Sequence, residues 1–261
     1  MIVVKFGGHA MKDENGNFAK AISAALATGE KVVVVHGGGP QIDAALKAQQ
    51  ITSAWIGGFR VTTQEIFNVV EEVLVNQVGQ EVATTLSKSG IKARAISARE
   101  LPTVIAKRRT TLIDGTPADL GFVGEVQSVN PAQLLELIDN GFVPVVAPVS
   151  SDVDLVTGLN VNADFAAASI AAALGASQLI VMTDVPGIYR NWPDKSSLID
   201  SITAHDLEAI KAGFAEGMAP KVQAALDALS YGAQAVRIID GTDPDSFASA
   251  LAGTGGTLVV A

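Results

Sequence analysis

No cysteine occurs in this chain of 261 residues. Disulfides and thiolate metal sites are therefore excluded, and the composition fits a reducing compartment. Aromatic residues make up only 5%, and positive charge is short: 18 Lys and Arg against 27 Asp and Glu leave a formal net charge of −9. That balance argues against a nucleic-acid-binding surface, although an acidic enzyme still handles anionic substrates at a locally basic site. No stretch approaches the roughly 18–20 apolar residues of a membrane span. The longest weakly polar run, FAAASIAAALGASQLIVM, is interrupted by Gly175 and Gln178 and reads as a buried helix passing into a strand. The opening MIVVKFGG is too short for a signal peptide and lacks a cleavage pattern, so a soluble, cytoplasmic protein is expected. A Walker-type phosphate loop is also missing, because the sequence contains no Gly-Lys dipeptide.

What the chain does have is apolar residues, 48% of the total and rich in Ala and Val, enough for a sizeable core. Short β-branched runs recur at 2–6, 31–36, 91–96, 143–148, 178–182, 235–240 and 257–261. Most lack clean alternation, as strands buried on both faces do. Helical patterns fall between them, at about 17–28, 40–49, 64–89, 131–140, 162–175, 203–212, 218–231 and 245–252. This alternation predicts an α/β fold, a three-layer αβα sandwich with a mainly parallel central sheet. Residues 101–130 break the rhythm, being rich in Thr, Val and turn residues. With the hairpin signal Asp114-Gly115, they read as an antiparallel flap at the sheet's edge. A lobe boundary is placed near 175, where a long helix ends, giving lobes 1–175 and 176–261.

Two early strands end in glycine turns, VVKFGG with Gly7 and Gly8, and VVVVHGGGPQI with Gly37, Gly38 and Gly39. In open α/β sheets ligands bind beyond the carboxyl ends of strands, where helix N-termini and bare amides favour anions. A dinucleotide fingerprint does not fit, since Ile42 stands where its third glycine belongs. Lys5 sits within an apolar strand, two residues before Gly7. It is either an edge lysine reaching water or an ammonium aimed where anions collect. Lys221 follows Pro220, which suits the first turn of a helix and places a second ammonium at that helix's positive end. Asn160 or Asn162 can cap the helix that follows, with Asp164 in its first turn. Capping alone accounts for those three residues. Two lysines at anion-favouring positions suggest stabilisation of phosphoryl oxygens during transfer.

The motifs VVKFGGHAM, VVVVHGGGPQI, GGFRVTTQEIF, DLGFVGEV, NVNADFAAASIAAALGA, LIVMTDVPGIY and GMAPKVQAAL occur in an order that resembles the N-acetylglutamate kinases of the amino acid kinase family. The resemblance runs from residue 2 to the terminal GTLVV. It implies the amino acid kinase fold and ATP-dependent phosphorylation of the γ-carboxylate of N-acetyl-L-glutamate, a step of arginine biosynthesis. On that resemblance Lys5 and Lys221 stabilise the transferring phosphoryl group, Asp164 holds both lysines, and Gly8 gives a backbone N–H to the same oxygens. Gly38 and Gly39 bind the amino-acid substrate, Arg60 its α-carboxylate, and Asn160 its acetamido end. Thr183, Asp184, Gly187 and Met218 line the nucleotide side. The 1–175 lobe then serves the amino acid and dimerisation, and 176–261 the nucleotide. ATP carries Mg2+ on its phosphates, with no protein-held metal. Arg60 also suits a carboxylate independently, through the two-point fit of a guanidinium.

Some features stay open. The basic patch Lys107 to Thr111 either solvates the flap or meets an acidic partner such as a carrier protein. The chain starts directly at its first strand, whereas arginine-inhibited members of the family carry an extra N-terminal helix, so a homodimer is expected. Ile66, Val69, Val70, Val73, Leu74 and Val78 on helix 64–89 supply either the dimer face or ordinary core. The alternative activity is a kinase for a related blocked acidic amino acid: acetylaminoadipate, or aminoadipate or glutamate on an acidic carrier protein.

Overall fold

The structure, a computed structural model, describes residues 1–7, 11, 16–99, 102–214, 217–243 and 245–261. The first strands are β1 (Ile2–Phe6), β2 (Val32–His36), the short pair β3 (Trp55–Ile56) and β4 (Phe59–Arg60), and β5 (Ala93–Ser97). Then come β6 (Val104–Arg108), β7 (Val123–Val129), β8 (Val143–Ala147), β9 (Val149–Asp152) and β10 (Gly158–Val161). The last are β11 (Gln178–Thr183), β12 (Ser201–Thr203), β13 (Ala235–Asp240) and β14 (Thr257–Val260). The helices are α1 (Asn17–Ala27), α2 (Gly39–Ala48), α3 (Gln64–Glu71), α4 (Gly79–Lys88), α5 (Ala132–Asp139), α6 (Ala163–Ala173), α7 (Ala204–Ile210), α8 (Ala219–Ser230) and α9 (Ser246–Leu251).

Eight strands form the central sheet in the order β12-β14-β13-β11-β1-β2-β8-β5. Every neighbouring pair is parallel except β13–β14. All five residues of β1 and all five of β2 are buried, which explains the unbroken apolar runs. Alternation along β1 divides them between two cores. Ile2, Val4 and Phe6 pack with α1, α2, α9 and the helix running from Gln64 to Lys88. Val3 packs with α5, α6, α7 and α8 on the other face. The sheet is thus covered on both sides, the expected three-layer sandwich. Lys5, two residues after Val3, is carried by the same alternation to the α6 face.

The predicted helix 64–89 spans its expected length, but its middle, Glu72–Val78, is a π-helical segment. Ile66, Val69, Val70, Val73, Leu74 and Val78 are all buried in this chain's own core. They are therefore core residues and do not supply a dimer face.

The flap is corrected in placement. β6 and β7 pair antiparallel, with a bulge between Ile105 and Ala106. They lie, however, in a separate closed sheet of order β10-β7-β6-β9, not at the edge of the central sheet. The hairpin β9–β10 completes it, pairing β9 with β6 and β10 with β7 in parallel. The Ser- and Asp-rich VSSDVDLVTG had concealed those two strands. Of the flap's basic residues, Lys107 approaches Glu125 and Arg108 lies over the Phe122 ring at 4.0 Å. Arg109 turns inward onto Phe59 and Phe165, at 4.6 and 5.5 Å from the ring centres. Among the described residues no helix is long and apolar enough to cross a membrane.

Candidate active site

The carboxyl ends of β1, β2 and β8, with β10 of the small sheet, open onto a cavity of about 520 Å3. Three helices begin on its wall: α2 at Gly38-Gly39, α6 at Asn162-Ala163 and α8 at Pro220. Their unpaired N–H groups and dipoles make the space favourable to anions before any side chain is counted.

Three charged side chains meet there. Asp164 stands in the first turn of α6, whose N-cap Asn162 accepts the Asp164 N–H at 2.7 Å. Lys5 Nζ, arriving from β1, lies 3.1 Å from Asp164 Oδ1. Lys221 Nζ, from the first turn of α8, lies 3.4 Å from Oδ2 and 3.4 Å from the Gly217 carbonyl. Lys5 and Asp164 are buried, while Lys221 keeps a partly open side chain. Burial pushes the Asp164 carboxyl toward a higher pKa, but the charges of Lys5 and Lys221 outweigh burial and hold it below its ordinary value. The cluster therefore keeps one net positive charge at neutral pH, fixed in a partly dry site. Lys5 folds back over Gly7, where a Cβ would stand 3.2 Å from both Cε and Nζ.

Across the cavity stand Gly38, Gly39, Leu74, Asn160 and the β3–β4 hairpin with Trp55, Phe59 and Arg60. The Arg60 guanidinium is held from three directions. Nη2 lies 2.7 Å from Asp43 Oδ1, Nη1 donates to Ser53 Oγ at 2.8 Å, and the Trp55 ring sits 4.6 Å away. Asn160 Nδ2 donates to Thr62 Oγ1 at 3.1 Å, and that hydroxyl donates to the Arg60 carbonyl at 2.8 Å. The Asn160 side-chain oxygen is left as an acceptor. Asp43, Ser53 and Thr62 had no signal in the sequence, since Asp43 and Ser53 act only by meeting Arg60 from outside its hairpin and Thr62 by meeting Asn160, 98 residues away.

The structure thus gathers Lys5, Gly38, Gly39, Arg60, Asn160, Asp164 and Lys221 around one cavity. Thr183, Asp184, Gly187 and Met218 are not on its wall. Thr183 ends β11, beside β1, and its hydroxyl donates to Asp184 at 3.1 Å. Gly187 lies against Thr257, which accepts the neighbouring Ile188 N–H, and Met218 caps α8 while half-buried against the core. Gly8 lies outside the described residues. Among the described residues no group of three or more His, Asp or Glu side chains converges as a metal site.

A three-layer sandwich whose mainly parallel sheet carries an anion-favouring cavity at its carboxyl edge belongs to the class of α/β proteins that bind anionic ligands beyond their strand ends. The model of the amino acid kinase family matches residues 1–240, and the chain belongs to that family. It is 44% identical over 247 residues to the acetylglutamate kinase of Beutenbergia cavernae, covering 94% of this chain and 79% of that one. It is 45% identical over 246 residues to the acetylglutamate kinase of Nocardia farcinica, covering 94% and 81%. Among solved structures, smu.665 from Streptococcus mutans UA159 superposes with a TM-score of 0.82 at 28% identity, covering 99% and 98% of the two chains. Carbamate kinase from Giardia lamblia bound to AMP-PNP, at 19% identity and a TM-score of 0.75 over 99% and 97%, shares the fold.

Proposed function

We propose that this chain transfers the γ-phosphoryl group of ATP to the γ-carboxylate of N-acetyl-L-glutamate, giving the acyl phosphate and ADP, a step of arginine biosynthesis. The observation that carries the reading is the Lys5–Asp164–Lys221 cluster facing a cavity ringed by three helix N-termini. Its specificity for acetylglutamate draws on the relatives at 44% and 45% identity.

The reaction joins two anions, and the site's chemistry answers that difficulty. A γ-carboxylate oxygen attacks the γ-phosphorus while the bond to the β,γ-bridging oxygen breaks and its electron pair leaves with ADP. The attacking group is already ionised, so no general base and no covalent enzyme intermediate are needed. Lys5 and Lys221 stabilise the charge gathered on the phosphoryl oxygens, with helix N-termini adding fixed dipoles. Asp164 touches neither substrate. It positions both ammonium groups. Arg60, pre-set by Asp43 and Ser53, receives the α-carboxylate, the Gly38 and Gly39 amides lie along the substrate, and Asn160 meets the acetamido end. Mg2+ would neutralise charge on the nucleotide phosphates. The donors present suit a cation held by those phosphates, because both Asp164 oxygens are engaged by lysines. Thr183, Asp184, Gly187 and Met218, along the same edge of the sheet, serve the nucleotide.

The reading extends to lobes 1–175 and 176–261 for amino acid and nucleotide, and to a cytoplasmic homodimer. A second substrate, acetylaminoadipate, follows because one methylene changes pocket binding by only about 1–3 kcal/mol. The carrier-bound version draws on the basic flap. Against it, Arg109 of that flap is turned inward onto Phe59 and Phe165. A coupled ADP-release assay with Mg-ATP, with hydroxylamine trapping the acyl phosphate, compares N-acetyl-L-glutamate, N-acetyl-L-aminoadipate, glutamate and aspartate. Turnover confined to N-acetyl-L-glutamate is expected. Equal or better turnover of the aminoadipate would replace the substrate, and silence on all four would overturn the reading.

A further inference from the structure

Behind the glycine turn stands a buried titratable group that phosphoryl transfer leaves unused. His36 ends β2 and, by strand alternation, shares the face of Val32 and Val34, toward the helix from Gln64 to Lys88. Its side chain is 0% exposed. Nδ1 lies 2.9 Å from the Gly37 carbonyl oxygen, and Nε2 is buried without a hydrogen-bond partner. A carbonyl only accepts, so Nδ1 carries the proton and Nε2 a bare lone pair. Burial lowers the imidazole pKa to about 4, so the ring is neutral at physiological pH. An aliphatic side chain would fill this place without stranding a polar nitrogen, so packing alone does not account for histidine.

Orientation of the turn does. The Gly37 carbonyl and the Gly38 N–H belong to one trans peptide, and a planar trans peptide points them in opposite directions. Fastening the oxygen to His36 therefore turns the Gly38 N–H away from the core helix. Among the described residues nothing accepts that N–H, and Gly38 lines the cavity. Space for the ring comes from Gly79, just after the π-helical turn, whose N–H donates to the Leu74 carbonyl in the wide i to i+5 pattern. A Cβ on residue 79 would stand 3.1 Å from His36 Nε2 and 3.1 Å from the Leu74 oxygen. The Leu74 side chain reaches the cavity, its Cδ2 2.6 Å from the place of a Cβ on Gly38. The wide turn, the missing side chain and the imidazole form one fitted support.

We propose that His36 is a positioning residue of the amino-acid site: with its Nε2 edge seated against Gly79, its Nδ1–H holds the Gly37 carbonyl and fixes the Gly37–Gly38 peptide so that the Gly38 N–H is presented to an oxygen of the bound acidic amino acid. The proposal rests on the reading that this cavity takes the amino-acid substrate.

The test is steady-state kinetics on wild type, His36→Asn, His36→Gln and His36→Leu, varying N-acetyl-L-glutamate and ATP separately. Asn sets its side-chain nitrogen at the place of Nδ1, whereas Gln sets it nearer Nε2. Leu and Gln are expected to raise KM for N-acetyl-L-glutamate about tenfold, the loss of one hydrogen bond, with KM for ATP within about twofold. Asn is expected to restore it to within about threefold of wild type. Gln matching Asn, or Leu leaving that KM unchanged, overturns the role. Should the Leu variant not fold, 15N-histidine NMR of the wild type at neutral pH decides. A neutral, Nδ1-protonated ring is expected, and an Nε2-protonated or doubly protonated ring overturns the proposal. Wild type inert toward N-acetyl-L-glutamate sinks the functional reading itself, whereas an active wild type with an indifferent His36→Leu variant sinks only the part played by His36.

Discussion

Single side chains in this site act by being held still, and their removal has separable effects. Lys221→Ala deletes one of the two ammonium groups but leaves Asp164 paired with Lys5. Its kcat is expected to fall on the order of 10²–10³-fold, the usual loss of a charge-stabilising donor, with KM for the amino acid little changed. An unchanged kcat would remove Lys221 from the chemistry. Gly7→Ala presses on Lys5 Cε and Nζ from 3.2 Å without touching its charge. Turnover should drop roughly ten- to a hundredfold while the melting temperature holds, because displacement rather than unfolding is the damage. Acid stability separates two buried groups. His36 is neutral in the fold, with a pKa lowered to about 4 from 6.5, so the unfolded chain binds the extra proton between those values. Stability therefore falls as pH drops from 6.5 to 4, by about 3 kcal/mol at roughly 1.4 kcal/mol per unit. Asp164 has a lowered pKa, so its contribution is fully present above its unfolded value of 3.8 and is lost only below that. Urea titrations across this range should show the slope in wild type and a flatter one in His36→Asn. Equal slopes would assign the acid loss elsewhere.

Among the elements, the meeting of α6 and α8 governs the distance between Asp164 and Lys221. Both helices are rich in buried alanines, Ala166, Ala167, Ala168 and Ala171 on one and Ala224, Ala225 and Ala228 on the other, all in one core. Small residues let the two first turns approach closely enough for the ion pair. Ala167 is fully buried on α6, so Ala167→Leu should cost about 1–3 kcal/mol by overpacking, measured by urea unfolding, and should lower kcat as α6 shifts and carries Asp164 with it. Much of this layer was legible. The valine runs of β1 and β2, Pro220 at the start of α8 and the Asn-Ala-Asp start of α6 are local signals, and each element formed where its signal stood. The site residues that cluster are those seated at such starts and strand ends. What escaped was decided at long range. β9 and β10 form in a Ser- and Asp-rich stretch because β6 and β7 offer them edges. The π-helical turn ends at Gly79, which meets His36 across layers, a long-range contact that no local spacing announces. Asp43 reaches Arg60 from another element, leaving no spacing to read.

At the scale of the molecule, any metal requirement and the stability of the fold are predicted to be independent. With no convergent metal-binding group among the described residues, EDTA should abolish turnover with ATP but leave the melting temperature of the free protein unchanged. A large shift would indicate a structural cation.

The place of β1 has a consequence in time. It lies at the centre of the sheet, with Ile2 opposite Val32 on one side and Gln178 on the other. A ribosome supplies the first neighbour early and the second only on the order of ten to thirty seconds later, at about 5–20 residues per second. Throughout that interval one side of a strand buried along its whole length in the finished fold offers bare N–H and C=O groups to any other nascent chain. Residues 1–175 expressed alone should therefore aggregate, and co-expression with 176–261 should rescue them. Translation speed between β2 and β11 becomes a determinant of yield for a protein whose finished form gives no hint of it.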